Sequence, residues 1–100
     1  MTGKKEEALR REREEAWLGD AVLSLHVREW ILAREGRLNA ALFAELTSNH
    51  FLSRAGSPTG VEAAIGREYR EKGLEAARAW IAEKLGPAFE RHSNRRHGRN

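Results

Sequence analysis

The sequence contains no cysteine. That excludes a disulfide framework, a thiolate zinc site and a thiol nucleophile, and it removes the main signal of a secreted mini-protein. No stretch approaches the roughly 18 apolar residues of a membrane span, and the charged start, Met1 to Glu15, lacks the apolar run a signal peptide needs. There is no P-loop, no dinucleotide fingerprint and no G-x-S-x-G elbow, so nothing points to a small-molecule cofactor or a serine hydrolase. The histidines at 26, 50, 92 and 97 show no zinc-ligand spacing. Period-two alternation and internal repeats are absent and β-branched residues are few, which argues against a sheet. A cytoplasmic protein without membrane association is the expectation.

What remains is a composition suited to helices. The chain is 100 residues long, 40% hydrophobic and 33% charged, enough for one folded domain but only a small core, and such cores often gain buried area by self-association. Residues 1–15 form a charged segment of high helix propensity, expected to be helical and solvated. From Ala16 the pattern turns apolar, with Leu18, Val22, Leu25 and Leu32 at near-helical spacing until Gly36. Asn39 is placed to cap a helix carrying Leu42, Phe43 and Leu46, and a short helical turn is expected around Phe51 and Leu52. After Gly56-Ser57-Pro58, Thr59 and Glu62 fit an S/T-x-x-E capping box, followed by Val61, Ala64, Ile65 and Tyr69 up to Gly73. A last helix is expected from Leu74 to Leu85, with Trp80 on its core face as Trp30 is on the first, ended by Gly86-Pro87. The fold class predicted is therefore all-α, compact and without a sheet, with its folded body at residues 16–90.

The net charge of +3 is unevenly placed, because Arg91, Arg95, Arg96 and Arg99 share a final decapeptide with no acid. Residues 91–100 are expected to be a basic, disordered tail. It reads either as an electrostatic arm for a polyanion such as RNA or as a solubilising terminus.

Asp20 is the most informative single residue, a carboxylate in the middle of Ala16-Trp17-Leu18-Gly19-Asp20-Ala21-Val22-Leu23. A lone buried carboxylate costs several kcal/mol, so it takes a partner, a proton or a metal, or else it faces a solvated groove or a nearby arginine. Gly19 beside it weakens the helix by about 1 kcal/mol relative to Ala and leaves room for another backbone or a ligand. Glu62 has its own local explanation, as the third residue of the capping box, bonded back to the helix start.

These two segments resemble the motifs of the ribonuclease III family. Leu18-Gly19-Asp20-Ala21-Val22-Leu23 is similar to the family's L-G-D-A-V signature helix. Val61-Glu62-Ala63-Ala64-Ile65-Gly66, with Tyr69 and Gly73-Leu74-Glu75-Ala76-Ala77, is similar to its E-A-L-I-G helix. The resemblance spans roughly residues 16–81 and implies that Asp20 and Glu62 are catalytic ligands of one Mg²⁺, with Mn²⁺ as a substitute. It further implies a homodimer in which an aromatic at the position of Trp17 enters the partner, and double-stranded or structured RNA as substrate. Two other acids of typical members are replaced by Ala16 and Thr59, as in the Mini-III type, which has no double-stranded-RNA-binding domain. The interval from Asp20 to Glu62 is shorter than in either type. A catalytically silent RNA-binding dimer and a helical interaction module unrelated to RNA are the other readings.

Overall fold

The computed structural model describes residues 3–98. It consists of six helices in chain order: α1 (Gly3–Glu35), α2 (Ala40–Leu46), α3 (Asn49–Leu52), α4 (Pro58–Lys72), α5 (Leu74–Lys84) and α6 (Gly86–Arg96). There is no strand among the described residues. None of the helices is long and apolar enough to cross a membrane.

α1 organises the rest. Its charged first half and apolar second half form one unbroken helix, about 50 Å long at 1.5 Å per residue, matching the 54 Å longest extent of the molecule. Its end is set by Gly36, whose φ of 72° closes the helix with a hydrogen bond from its N–H to the Leu32 carbonyl. Asn39 then caps α2 as expected, its side chain accepting from the Leu42 N–H at 3.0 Å. Ser48 does the same for the single turn of α3, which drops Phe51 and Leu52 into the core.

The core joins Val22, Leu23, Val27 and Ile31 of α1 to Leu42, Leu46, Phe51, Leu52, Val61, Ile65, Ala77, Ile81, Leu85 and Phe89. The buried face of α1 is only partly the expected Leu18–Val22–Leu25–Leu32 stripe: Val22 is buried, but Leu25 and Leu32 are exposed, and Ala16, Gly19, Leu23 and Val27 turn inward. Small residues decide this register. A Cβ on Gly19 would lie 2.7 Å from the Glu62 carbonyl carbon and overlap its oxygen. A Cβ on Gly66 would lie 2.6 Å from the Glu15 carbonyl carbon in the same way. The backbones of α1 and α4 therefore touch at two reciprocal glycines, with Ala16 and Ala63 buried beside them. Packing this close holds α4 antiparallel to α1 and fixes where Asp20 meets α4.

Over residues 91–96 the expected disordered tail is instead helical. Gly86-Pro87 ends α5 but also starts α6, because proline is well tolerated in a first helical turn. Phe89 anchors α6, stacked on Phe51 with ring centroids 5.6 Å apart and tilted against Trp30 at 5.6 Å. Arg34 straps its outer turns, donating to the buried Ser93 hydroxyl at 3.1 Å and to Asn94 at 2.7 Å, and pairing with Glu90.

Candidate functional site

The helix that carries Glu62 starts differently from the capping box read in the sequence. Ser57, not Thr59, is the N-cap, its hydroxyl accepting from the Gly60 N–H at 3.0 Å, and Pro58 occupies the first turn. With that cap in place Glu62 is released from the helix start. It lies one turn before Gly66, on the edge of α4 that faces α1.

Asp20 follows Gly19, so the glycine contact brings the two acids together. The Glu62 carboxyl is half-buried and lies beside the Asp20 carboxyl, within reach of a shared hydrogen bond. Burial, then that hydrogen bond, then the Asp20 charge push the Glu62 pKa up to about 7. Asp20 itself is exposed. Two neighbouring carboxyl groups with one open to solvent can either share a proton or accept a cation.

The donor set fits a hard divalent ion. It offers oxygen ligands only, carries up to two negative charges, and is reachable from water, which suits Mg²⁺ with its retained water ligands. Among the described residues no group of three or more His, Cys, Asp or Glu is placed to hold a metal. The positions where typical ribonuclease III members have further acids carry Ala16, buried against α4, and Thr59, exposed. Glu15 is also buried on this seam, but its carboxylate accepts from Arg67 at 3.3 Å.

The raised pKa predicts a stability signature. An acid with a folded pKa near 7 and an unfolded pKa near 4.5 binds more protons when folded in that window. The contribution of Glu62 to stability is therefore fully present below about pH 4.5 and is lost as pH rises through 7. In metal-free protein, Glu62→Gln should stabilise by about 1 kcal/mol at pH 8, after discounting for solvent screening, and by almost nothing at pH 4.5. Denaturant titrations at the two pH values check this.

The arginines expected to bind RNA are not on a free arm. Arg91 and Arg95 are exposed on α6, whereas Arg96 donates from Nε to both Glu45 oxygens at 3.2 and 3.3 Å. Arg99 lies outside the described residues. His92 joins the same carboxylate at 2.7 Å, and this bond, ahead of Arg96, holds the Glu45 pKa below its usual range. α6 packs at the Arg34 end of α1, several turns from Asp20. Trp17 is 78% exposed, which removes core packing as its role. It shares one face of α1 with Ala21, Leu25 and Leu32, all exposed. An apolar cleft lined by Leu32, Leu38 and Phe43 opens at the far end of that face, away from the acid pair.

Compared with protein-family models, with curated proteins and with solved structures, the chain matches none.

Proposed function

We propose that the protein is a Mg²⁺-dependent endoribonuclease of ribonuclease III type, hydrolysing phosphodiester bonds in double-stranded or structured RNA. The observation that carries this reading is the meeting of Asp20 and Glu62, two carboxyls from motifs far apart in sequence, at a solvent-accessible edge. Asp20 and Glu62 would hold the ion between them. Bound there, Mg²⁺ supplies activation of a water and stabilisation of charge on the attacked phosphate. Each cleavage consumes one water and yields a phosphomonoester and a free hydroxyl. The chain's own part is to orient two oxygen donors through the rigid α1–α4 contact and to let go of the proton that Glu62 otherwise retains near neutrality. Open placement of the pair suits a substrate that lies across the surface, and A-form RNA is read largely by shape and by 2′-hydroxyl contacts.

A homodimer belongs to the same reading. The exposed face of Trp17, Ala21, Leu25 and Leu32, with Arg28 among them, carries large apolar side chains of the kind that a second copy covers. Trp17 lies one turn from Asp20, so a two-fold contact through this face sets two acid pairs near each other. Trp17→Ala should raise the dimer dissociation constant by at least about tenfold, the scale of a buried aromatic anchor. Sedimentation across a concentration series reads the shift, and a wild-type monomer at micromolar concentration would refute it.

One observation favours the silent-binder reading, namely that the acid pair lacks a third carboxylate among the described residues. The deciding experiment incubates purified protein with double-stranded RNA, with and without Mg²⁺. Mg²⁺-dependent fragments support the enzyme; binding without fragments supports the silent dimer.

A further inference from the structure

Among the described residues, one buried side-chain nitrogen has no hydrogen-bond partner: Nδ1 of His26. His26, Glu29, Trp30 and Ala33 stand at i, i+3, i+4 and i+7 of α1 and so share one face of it. Two other helices meet that face. From α5 comes Arg78, which pairs with the Glu29 carboxylate at 2.7 Å and lines an open cleft with His26, Trp30 and Ala33. From α6 comes Phe89, whose ring is centred 6.4 Å from the imidazole and 5.6 Å from the Trp30 ring. Phe89 is fully buried and anchors α6, so His26 sits where α1, α5 and α6 join, and the cleft lets water reach it.

Such a ring has no good place for a second proton. The imidazolium form would bury an N–H donor without an acceptor and a charge beside an apolar anchor. At 6.4 Å the Phe89 ring is too far to stabilise the cation through its face. The charged neighbours divide: Arg78 of α5 opposes the imidazolium, while Glu29 of α1 favours it but is already engaged by Arg78. α6 presents to it the uncharged Phe89. Burial first, and the Arg78 charge second, hold the His26 pKa below its ordinary value of 6.5 against the pull of Glu29. The contribution of neutral His26 to stability is therefore fully present above pH 6.5 and is lost as pH falls through the lowered value.

We propose that His26 is an acid-sensitive latch: neutral, it lets Phe89 seat α6 against α1, and protonated, it loosens that seat while the α1–α4 contact holds. The selectivity follows from position. The backbone contact of α1 with α4 runs through Gly19 and Gly66, and Gly19 lies seven residues from His26, roughly 10 Å at 1.5 Å per residue. Two other imidazoles strap the outer end of α6, His92 on Glu45 at 2.7 Å and His97 on Glu35 at 2.8 Å. They respond in the opposite sense, because protonation turns each hydrogen bond into a charge-assisted one. Both carboxylates have pKa values below the usual range and stay charged in mild acid, Glu35 chiefly through Asn39 and then His97, Glu45 chiefly through His92. Pairs this near to solvent contribute little, whereas a buried charge without an acceptor is costly, so His26 sets the sign.

Nuclear magnetic resonance of the metal-free wild-type protein between pH 7.5 and 5 reads both parts of the latch. The His26 ring should titrate below 6.5. Amide exchange in α6, corrected for its intrinsic pH dependence, should become severalfold faster at pH 5 than at pH 7.5, with no such change where α1 meets α4. His26→Phe, which takes up no proton, should remove the acceleration, and His26→Gln makes the same test should the larger ring disturb folding. His92→Gln and His97→Gln, which delete the opposing pairs, should leave the acceleration in place or enlarge it. A His26 ring that titrates at or above 6.5, or exchange in α6 that does not respond to acid, overturns the latch. So does acceleration that persists in the His26 variants, or protection lost equally by all the helices.

Discussion

Asp20→Asn should reduce Mg²⁺-dependent RNA cleavage by about a thousandfold or more while the protein remains folded. The substitution keeps the size and shape of the side chain at an exposed position and removes the charge that a divalent ion needs. Glu62→Gln should do the same. Two ligands of one ion act as a unit, so the double variant should be little worse than either single one. Losses that multiplied would mean that the two acids act separately. The single variants should also unfold no more easily than the wild type in the absence of metal, since each removes one of two carboxyls that repel when both are charged. A large loss of stability would instead assign the pair a structural role.

Gly66→Ala should lower the melting temperature by about 10 °C or more. The new Cβ would overlap the Glu15 carbonyl, and backbone cannot step aside as a side chain does. Overpacking of this kind costs about 3 kcal/mol, against a total stability of about 5–15 kcal/mol for a natural domain, and each kcal/mol is worth several degrees in a domain this size. Gly19→Ala should behave likewise, through the Glu62 carbonyl. Gly86→Ala is the control: no atom lies within 4 Å of its added Cβ, so its effect should be neutral or mildly stabilising. Calorimetry of the three variants checks the ordering. Equal stability would mean that α1 and α4 are not in backbone contact, and the placement of Asp20 beside Glu62 would lose its cause.

The all-α class was legible because helix signals agreed along the chain: Gly36 at a positive φ, Asn39 as a cap, Gly73 between two helices. The acid pair was legible only through the two motifs, since composition and spacing alone allowed Glu62 to be a capping residue. The capping reading failed because Ser57 and Thr59 are both competent caps, and Pro58 between them favours the earlier start by fitting the first turn. The buried face of α1 was legible at Val22 but misread at Leu25 and Leu32, because large apolar residues were weighted over small ones. Where two helices touch through glycine, the inward face is marked by Ala16 and Gly19 and leaves Trp17 and Leu25 outside. α6 was missed because Gly-Pro signals a stop and a start equally. Ala88, Phe89 and Ser93, all buried, were its apolar and small-residue signal within an otherwise charged segment.

The measurement closest to the central claim is calorimetric titration of Mg²⁺ into the purified protein at pH 7, in two buffers of different ionisation enthalpy. If Asp20 and Glu62 form one cation site, the wild type binds one ion per chain and releases a fraction of a proton, because Glu62 with its pKa near 7 must ionise to act as a ligand. Asp20→Asn and Glu62→Gln should each abolish both the binding and the release. Binding that persists unchanged in either variant, or an absence of binding in the wild type at millimolar Mg²⁺, would contradict the account.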